Sequence, residues 1–220
     1  MYYNKTFAQF LHVLLLGGFL AALAYKVLAP ELFTLSFARE DGIIEYSTAI
    51  LLFVGALGLF GLARRVTGYK RWLLALYVLA FIFAAGEEVS WGQRIFDIQS
   101  TEFFLENNRQ GETNLHNLVV GDVHLASAIF GNVLTPILLL YLVVLPLLYG
   151  PFGWVRRFCE ALAIPVPPIY IAGWALLWTV FVLWIDLNRN WEVYEFAFSV
   201  FVCLIFFAPR NRATFNFDPV

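Results

Sequence analysis

The chain has 220 residues, of which 61% are hydrophobic, 18% aromatic and only 14% charged, with a formal net charge of −2. A soluble domain carries about a quarter charged residues, so this composition and a mean hydropathy of +0.74 exclude an ordinary soluble enzyme. What remains is an all-α polytopic membrane helix bundle, a single integral membrane domain over residues 1–220, and no nucleic-acid signature is present.

Six apolar stretches are long enough to cross a hydrocarbon core of about 30 Å at about 1.5 Å per residue. The first, 7–29, carries His12 on its inner half, where a packed, hydrogen-bonded histidine is expected. Ala22-Leu23-Ala24 has the small-residue pattern of a signal-peptidase site, but the apolar run continues past it and reads as one span. The second stretch, 43–64, starts with Glu45 and Thr48 on one face. In the third, 71–92, Trp72 and Trp91 stand about 28 Å apart along a helix, as interfacial tryptophans bracketing the hydrocarbon would.

A polar loop over 93–122 follows, in which Phe103-Phe104-Leu105 form an apolar side suited to a short interfacial helix. The fourth stretch, 123–148, holds Asn132 and Pro136, a pair that predicts a kink. Pro165, Pro167 and Pro168 break the chain before the fifth, 168–186, and a tight turn through Asp186 and Arg189 leads to the sixth, 191–208.

Cytoplasmic loops hold the excess of Lys and Arg. With the N-terminus cytoplasmic, the inner side carries Lys5, Arg64, Arg65, Lys70, Arg71, Arg156, Arg157, Arg210 and Arg212, and the outer side Lys26, Arg39, Arg94, Arg109 and Arg189. Both termini are therefore expected in the cytoplasm. Cys159 and Cys203 then fall on the cytoplasmic half, where neither a disulfide nor a cysteine metal site is expected.

The same orientation puts all 16 acidic residues except Glu160 and Asp218 outside or in the outer third. Four are expected below the surface: Glu45 on the second span, Glu87 and Glu88 on the third, and Glu195 on the last, where Glu192, Glu195 and Ser199 share a face. Glu87 and Glu88 are about 100° apart around a helix, so one is expected to line a site and the other to bond a neighbouring helix or loop. Glu87, Ser90 and Arg94 share a face if the third helix runs that far. A carboxylate inside hydrocarbon is costly enough to mark a functional site.

His116 and His124 lie outside near the fourth span, and mixed histidine and carboxylate sets suit zinc, iron or manganese. A metal held by His116, His124, Glu88 and Glu195 is one expectation, although no tight spacing such as H-E-x-x-H is present. Glu45, Glu87, Glu88, Glu192 and Glu195 are the candidate acid–base groups. Trp91, Gln93, Arg94, Asn114, Asn117 and Arg189 are the candidate substrate contacts, with the arginines able to grip an anionic head group. No Walker loop, Rossmann glycine pattern, G-x-S-x-G elbow or haem-attachment motif occurs.

Gly86-Glu87-Glu88-Val89-Ser90-Trp91-Gly92-Gln93-Arg94, followed by Glu112-Thr113-Asn114-Leu115-His116-Asn117, resembles a family of bacterial polytopic inner-membrane proteins. Glu40-Asp41-Gly42 and Trp191-Glu192-Val193-Tyr194-Glu195 extend the likeness. It implies a multi-pass protein of the bacterial inner membrane and assigns no activity. A remoter comparison is the alkaline-ceramidase-like superfamily of seven-span metal hydrolases, whose late helices hold zinc through histidines; this chain has glutamates on its last helix and no histidine after His124.

Two functions follow as expectations. One is a metal-dependent enzyme, a hydrolase for instance, acting on a lipid or lipid-linked substrate at the outer leaflet. The other is a small transporter, or an ion- or proton-binding subunit that partners other membrane subunits.

Overall fold

In the computed structural model, which describes residues 5–121, 123–125 and 133–217, the chain is a helical bundle with one two-stranded hairpin. Among the described residues, four helices are long and apolar enough to cross a membrane: α1 Lys5–Leu28, α2 Ile43–Ala63, α3 Tyr69–Glu88 and the last helix, α8 Asn190–Phe207. Between them lie α4 Glu102–Asn107, strands β1 Val119–Val120 and β2 Val123–His124, α5 Thr135–Tyr149, α6 Gly153–Ala161 and α7 Ile169–Ile185. The chain is a multi-pass membrane protein.

The core forms around α8. Nearly every side chain from Val193 to Phe206 on this helix is buried, whereas α1 and α3 leave most of theirs facing outward. Helix α2 packs against both α3 and α8, α1 and α7 flank α8, and α5 leans on α7. Small residues set the closest approach: a Cβ on Gly58 of α2 would lie 2.9 Å from the Phe207 ring and 3.1 Å from Cβ of Phe206. Without hydrophobic driving force between helices in lipid, such close backbone packing is what holds them.

Contacts at the two ends fix the direction of each rod. At one end Phe7 meets Phe207 (ring centroids 5.1 Å apart), Arg65 lies over Phe217 at 4.1 Å, and the Arg210 N–H donates to the Val166 carbonyl at 2.8 Å. At the other end Lys26 Nζ donates to the Ile185 carbonyl at 2.5 Å and Thr34 Oγ1 to that of Asn188 at 3.0 Å. Helices α1, α3 and α7 therefore run one way and α2 and α8 the other. The basic pairs Arg64-Arg65 and Lys70-Arg71 share the end of the bundle that holds the C-terminal segment.

Two expectations are corrected. Helix α3 stops at Glu88, because Val89 leaves helical geometry and Ser90 and Trp91 adopt left-handed φ of 46° and 56°. Trp91 thus does not mark a helical boundary 19 residues beyond Trp72; its ring folds back over Gly86, where a Cβ would stand 2.8 Å from it. Nor do Glu87, Ser90 and Arg94 share a helical face. The fourth apolar stretch does not begin as a helix at Val123 either: Val123 and His124 pair antiparallel with Val120 and Val119 around Gly121, whose φ is +60°.

Helix α5 carries a π-turn over Leu140–Val144 just ahead of Pro146, which has no N–H to continue the ladder. Asn132 lies outside the described residues. Cys159 and Cys203 are both free and buried.

Candidate functional site

The polar end of the bundle is capped by the segment Asn108–Leu118, and the residues after α3 hold it there. Glu87 accepts the N–H groups of Leu115 at 2.6 Å and His116 at 3.1 Å through one carboxylate oxygen, and Trp91 Nε1–H at 2.8 Å through the other. Gln93 accepts the Thr113 N–H at 2.7 Å and donates to Ser100 Oγ at 2.7 Å. Asn108, buried, donates to the carbonyl and side-chain oxygens of Asn114 and accepts from the N–H groups of Gln110 and Glu112. Asn114 in turn donates to Ser90 Oγ at 2.8 Å and to Glu112 at 3.0 Å, and Ser90 donates to Glu112. A segment with so many polar backbone groups can be buried only when each is paired.

The candidate substrate contacts Trp91, Gln93 and Asn114 thus have their polar atoms engaged within the cap. Asn117 reaches Gln110 Oε1 at 2.6 Å on its exposed side.

Two arginines neutralise most of the acids below this cap. Arg94 pairs with Glu40 at 2.5 Å, Asp41 and Glu112. Burial opposes its charge, yet the Asp41 and Glu40 carboxylates hold its proton more firmly than usual. Arg189, in left-handed geometry at the start of α8, pairs with Glu192 at 2.7 Å and with Glu45 and Glu40 at 3.5 Å each. Glu45 also accepts the Asp41 N–H at 3.1 Å, which closes the first turn of α2. Glu40, Asp41, Ser90, Asn108 and Glu112 are therefore central to the arrangement. Periodicity gives no hint of Glu40, Asp41, Asn108 and Glu112, which lie outside the α-helices, and it put Ser90 on a helical face that does not form; the one local signal is the cluster of turn-forming residues around them.

Glu88 and Glu195 stand apart from this pairing. Neither makes a hydrogen bond or ion pair with any of the described residues, although Glu88 ends α3 and Glu195 lies in the second turn of α8, both at the level of the Arg189 network. Glu45, Glu88, Glu192 and Glu195 are close enough to feel one another's charge. Glu88 is half-buried, and Glu195 keeps accessible surface between the buried Tyr194 and Phe196.

The histidines distribute differently. His116 Nδ1 lies 3.8 Å from Glu87, His124 is exposed on β2, and His12 Nδ1 sits 2.6 Å from the Ala8 carbonyl within α1. Among the described residues no three His, Cys, Asp or Glu side chains are grouped to hold a metal ion.

Comparison with known proteins adds nothing to this geometry: no family model, no curated protein and no solved structure matches the chain.

Proposed function

We propose that the protein binds a proton or small cation at Glu88 and Glu195, as a small transporter or an ion-binding subunit of a membrane complex. The observation behind this reading is the division among the carboxylates: Glu40, Asp41, Glu45, Glu112 and Glu192 share two arginines and Glu87 is taken up by the cap, which leaves Glu88 and Glu195 without a partner among the described residues. An unpaired charge at membrane depth is costly, and a bound proton or cation removes the cost.

Proteoliposomes containing a trapped pH dye test the reading directly. Imposed gradients of sodium, potassium or magnesium should move protons in the wild type, and Glu88→Gln or Glu195→Gln should cut the flux at least tenfold. Glu102→Gln and Glu106→Gln, on the exposed α4, should leave it unchanged. A transport-silent subunit would instead show cation-dependent thermal stabilisation that both glutamine variants lose. Wild-type behaviour in both variants, in both assays, rejects the site.

A second reading has one observation in its favour, the His116 ring beside Glu87. It is an enzyme for a lipid or lipid-linked substrate in which His116 or His124, with Glu88 and Glu195, holds zinc, iron or manganese. Stoichiometric metal in the purified protein, lost on His116→Ala, would favour it.

We further infer six crossings of a bacterial inner membrane, with α5 and α7 as the two shorter ones and both termini cytoplasmic. The gathering of paired arginines and lysines at one end of the bundle supports this orientation. A tag inserted after Gln99 should be reachable from outside intact cells, and one at Gly68 only after permeabilisation.

A further inference from the structure

Helix α6 is short, but its three flanks differ sharply. Val155 and Cys159 are buried and pack with Val166 against Leu145, Leu148 and Tyr149. About 100° per residue then puts Trp154, Phe158 and Ala161 on one exposed flank, and Arg156, Arg157 and Glu160 on the other. Trp154 is 61% and Phe158 51% exposed, aromatic surface that nothing in the bundle covers.

The helix cannot turn to hide these rings. Tyr77 Oη donates to the Leu162 carbonyl at 2.9 Å, and Asn211 Nδ2 to that of Ile164 at 2.9 Å, so the segment just after α6 is bolted to α3 and to the C-terminal strap. Phe152 extends the aromatic surface ahead of the helix, 6.5 Å from Trp154. Arg156 and Arg157 have no carboxylate partner among the described residues, and neither do the exposed Arg64 and Arg71 at the same end of the bundle. Glu160 is the one acid on this face among the described residues.

We propose that α6 lies in the plane of the bilayer at the basic end of the bundle, with Trp154 and Phe158 in the lipid and Arg156 and Arg157 bound to anionic phospholipid head groups. The chemistry fits one occupant. A tryptophan and a phenylalanine beside two arginines on a bolted amphipathic helix match the boundary between acyl chains and phosphates, and the unpaired positive charge of this face complements an anionic leaflet. A water-facing helix would leave its aromatic flank exposed without reason.

The full chain in bilayers containing brominated phospholipid provides the test, with Trp154→Phe subtracted to isolate one tryptophan. The Trp154 share of the emission should be quenched severalfold more by brominated lipid than by aqueous iodide. After detergent extraction, the wild type should retain phosphatidylglycerol over phosphatidylcholine, and Arg156→Gln/Arg157→Gln should reduce that retention at least twofold, while Trp154→Phe keeps it. Stronger quenching by iodide would show α6 in water, and protection from both quenchers would show a protein partner on it; either overturns the proposal. So would equal retention of the two lipids by wild type and the double variant.

Discussion

Glu87 and Leu115 are 28 residues apart in sequence, yet the carboxylate of one accepts the backbone N–H of the other at 2.6 Å. The same oxygen takes the His116 N–H, so one side chain at the end of α3 anchors the Leu115–His116 part of the cap. Glu87→Gln keeps an acceptor but gives up the charge and one oxygen. Hydrogen bonds to charged groups contribute about 1.5–3 kcal/mol each, so a loss of about 2 kcal/mol is expected in detergent unfolding. Hydrogen exchange at the Leu115 and His116 amides should rise with it. Glu102→Gln and Glu106→Gln, both exposed, should stay within about 0.5 kcal/mol of wild type.

The fold-back of Trp91 leads to a substitution whose sign depends on its background. Gly86→Ala gains helix propensity of about 1 kcal/mol, but its Cβ would press on the Trp91 ring at 2.8 Å, where overpacking costs about 1–3 kcal/mol. In the wild type the change should destabilise; in Trp91→Ala it should stabilise. Thermal unfolding of the four proteins of this cycle decides it, and a gain in both backgrounds would mean the ring does not rest on Gly86.

At the opposite end, the buried Asn211 holds the C-terminal strap to the bend before α7. It accepts the Val166 N–H at 2.8 Å and donates to the Ile164 carbonyl at 2.9 Å. Asn211→Ala leaves both groups unpaired and should cost about 2 kcal/mol or more. Asn216→Gly, which suits the left-handed φ of 53° and removes only an exposed bond to the Arg65 carbonyl, should cost under about 0.5 kcal/mol. Similar losses at the two positions would remove the distinction between them.

Burial pushes the Cys159 thiol up to about 11, with the neighbouring Glu160 carboxylate adding to the effect. The folded protein therefore keeps the proton that an unfolded chain gives up near pH 8.5. Stability from this group is complete at neutral pH and declines as pH rises from about 9 towards 11, because the unfolded state then binds fewer protons. Alkylation by iodoacetamide at pH 8 should accordingly be slow in the native protein and fast after denaturation. Rapid labelling at pH 8 would place the thiol in a different environment.

Apolar runs marked the ends of most helices to within two residues, because hydrocarbon length leaves little choice: α2 begins at Ile43, α7 occupies 169–185 and α8 190–207. Composition could not foretell that α3 stops at Glu88, since the turn there is secured by Glu87 and Gln93 reaching backbone some 20 to 29 residues away. The hairpin did leave a trace, as Val119-Val120 and Val123 flank Gly121, but an apolar stretch beginning there reads equally well as a span. For the acids, their gathering at one end of the bundle could be read from the chain but their partners could not. Which carboxylates share Arg94 and Arg189 depends on how the segments before α2 and after α3 cross at the end of the bundle, and no local pattern encodes that.

The central position of α8 also bears on how the chain assembles in the membrane. Helices α1, α2 and α7 emerge from the ribosome before the rod they pack upon, and Gly18, Gly55 and Gly58 meet Phe196, Val202 and Phe206 only once it arrives. Until then the earlier helices have only one another to pack against, and loosely. Their final closure is then a late, post-translational event, and a chain released before Asn190 would meet the cell's quality control as an unassembled set of hairpins.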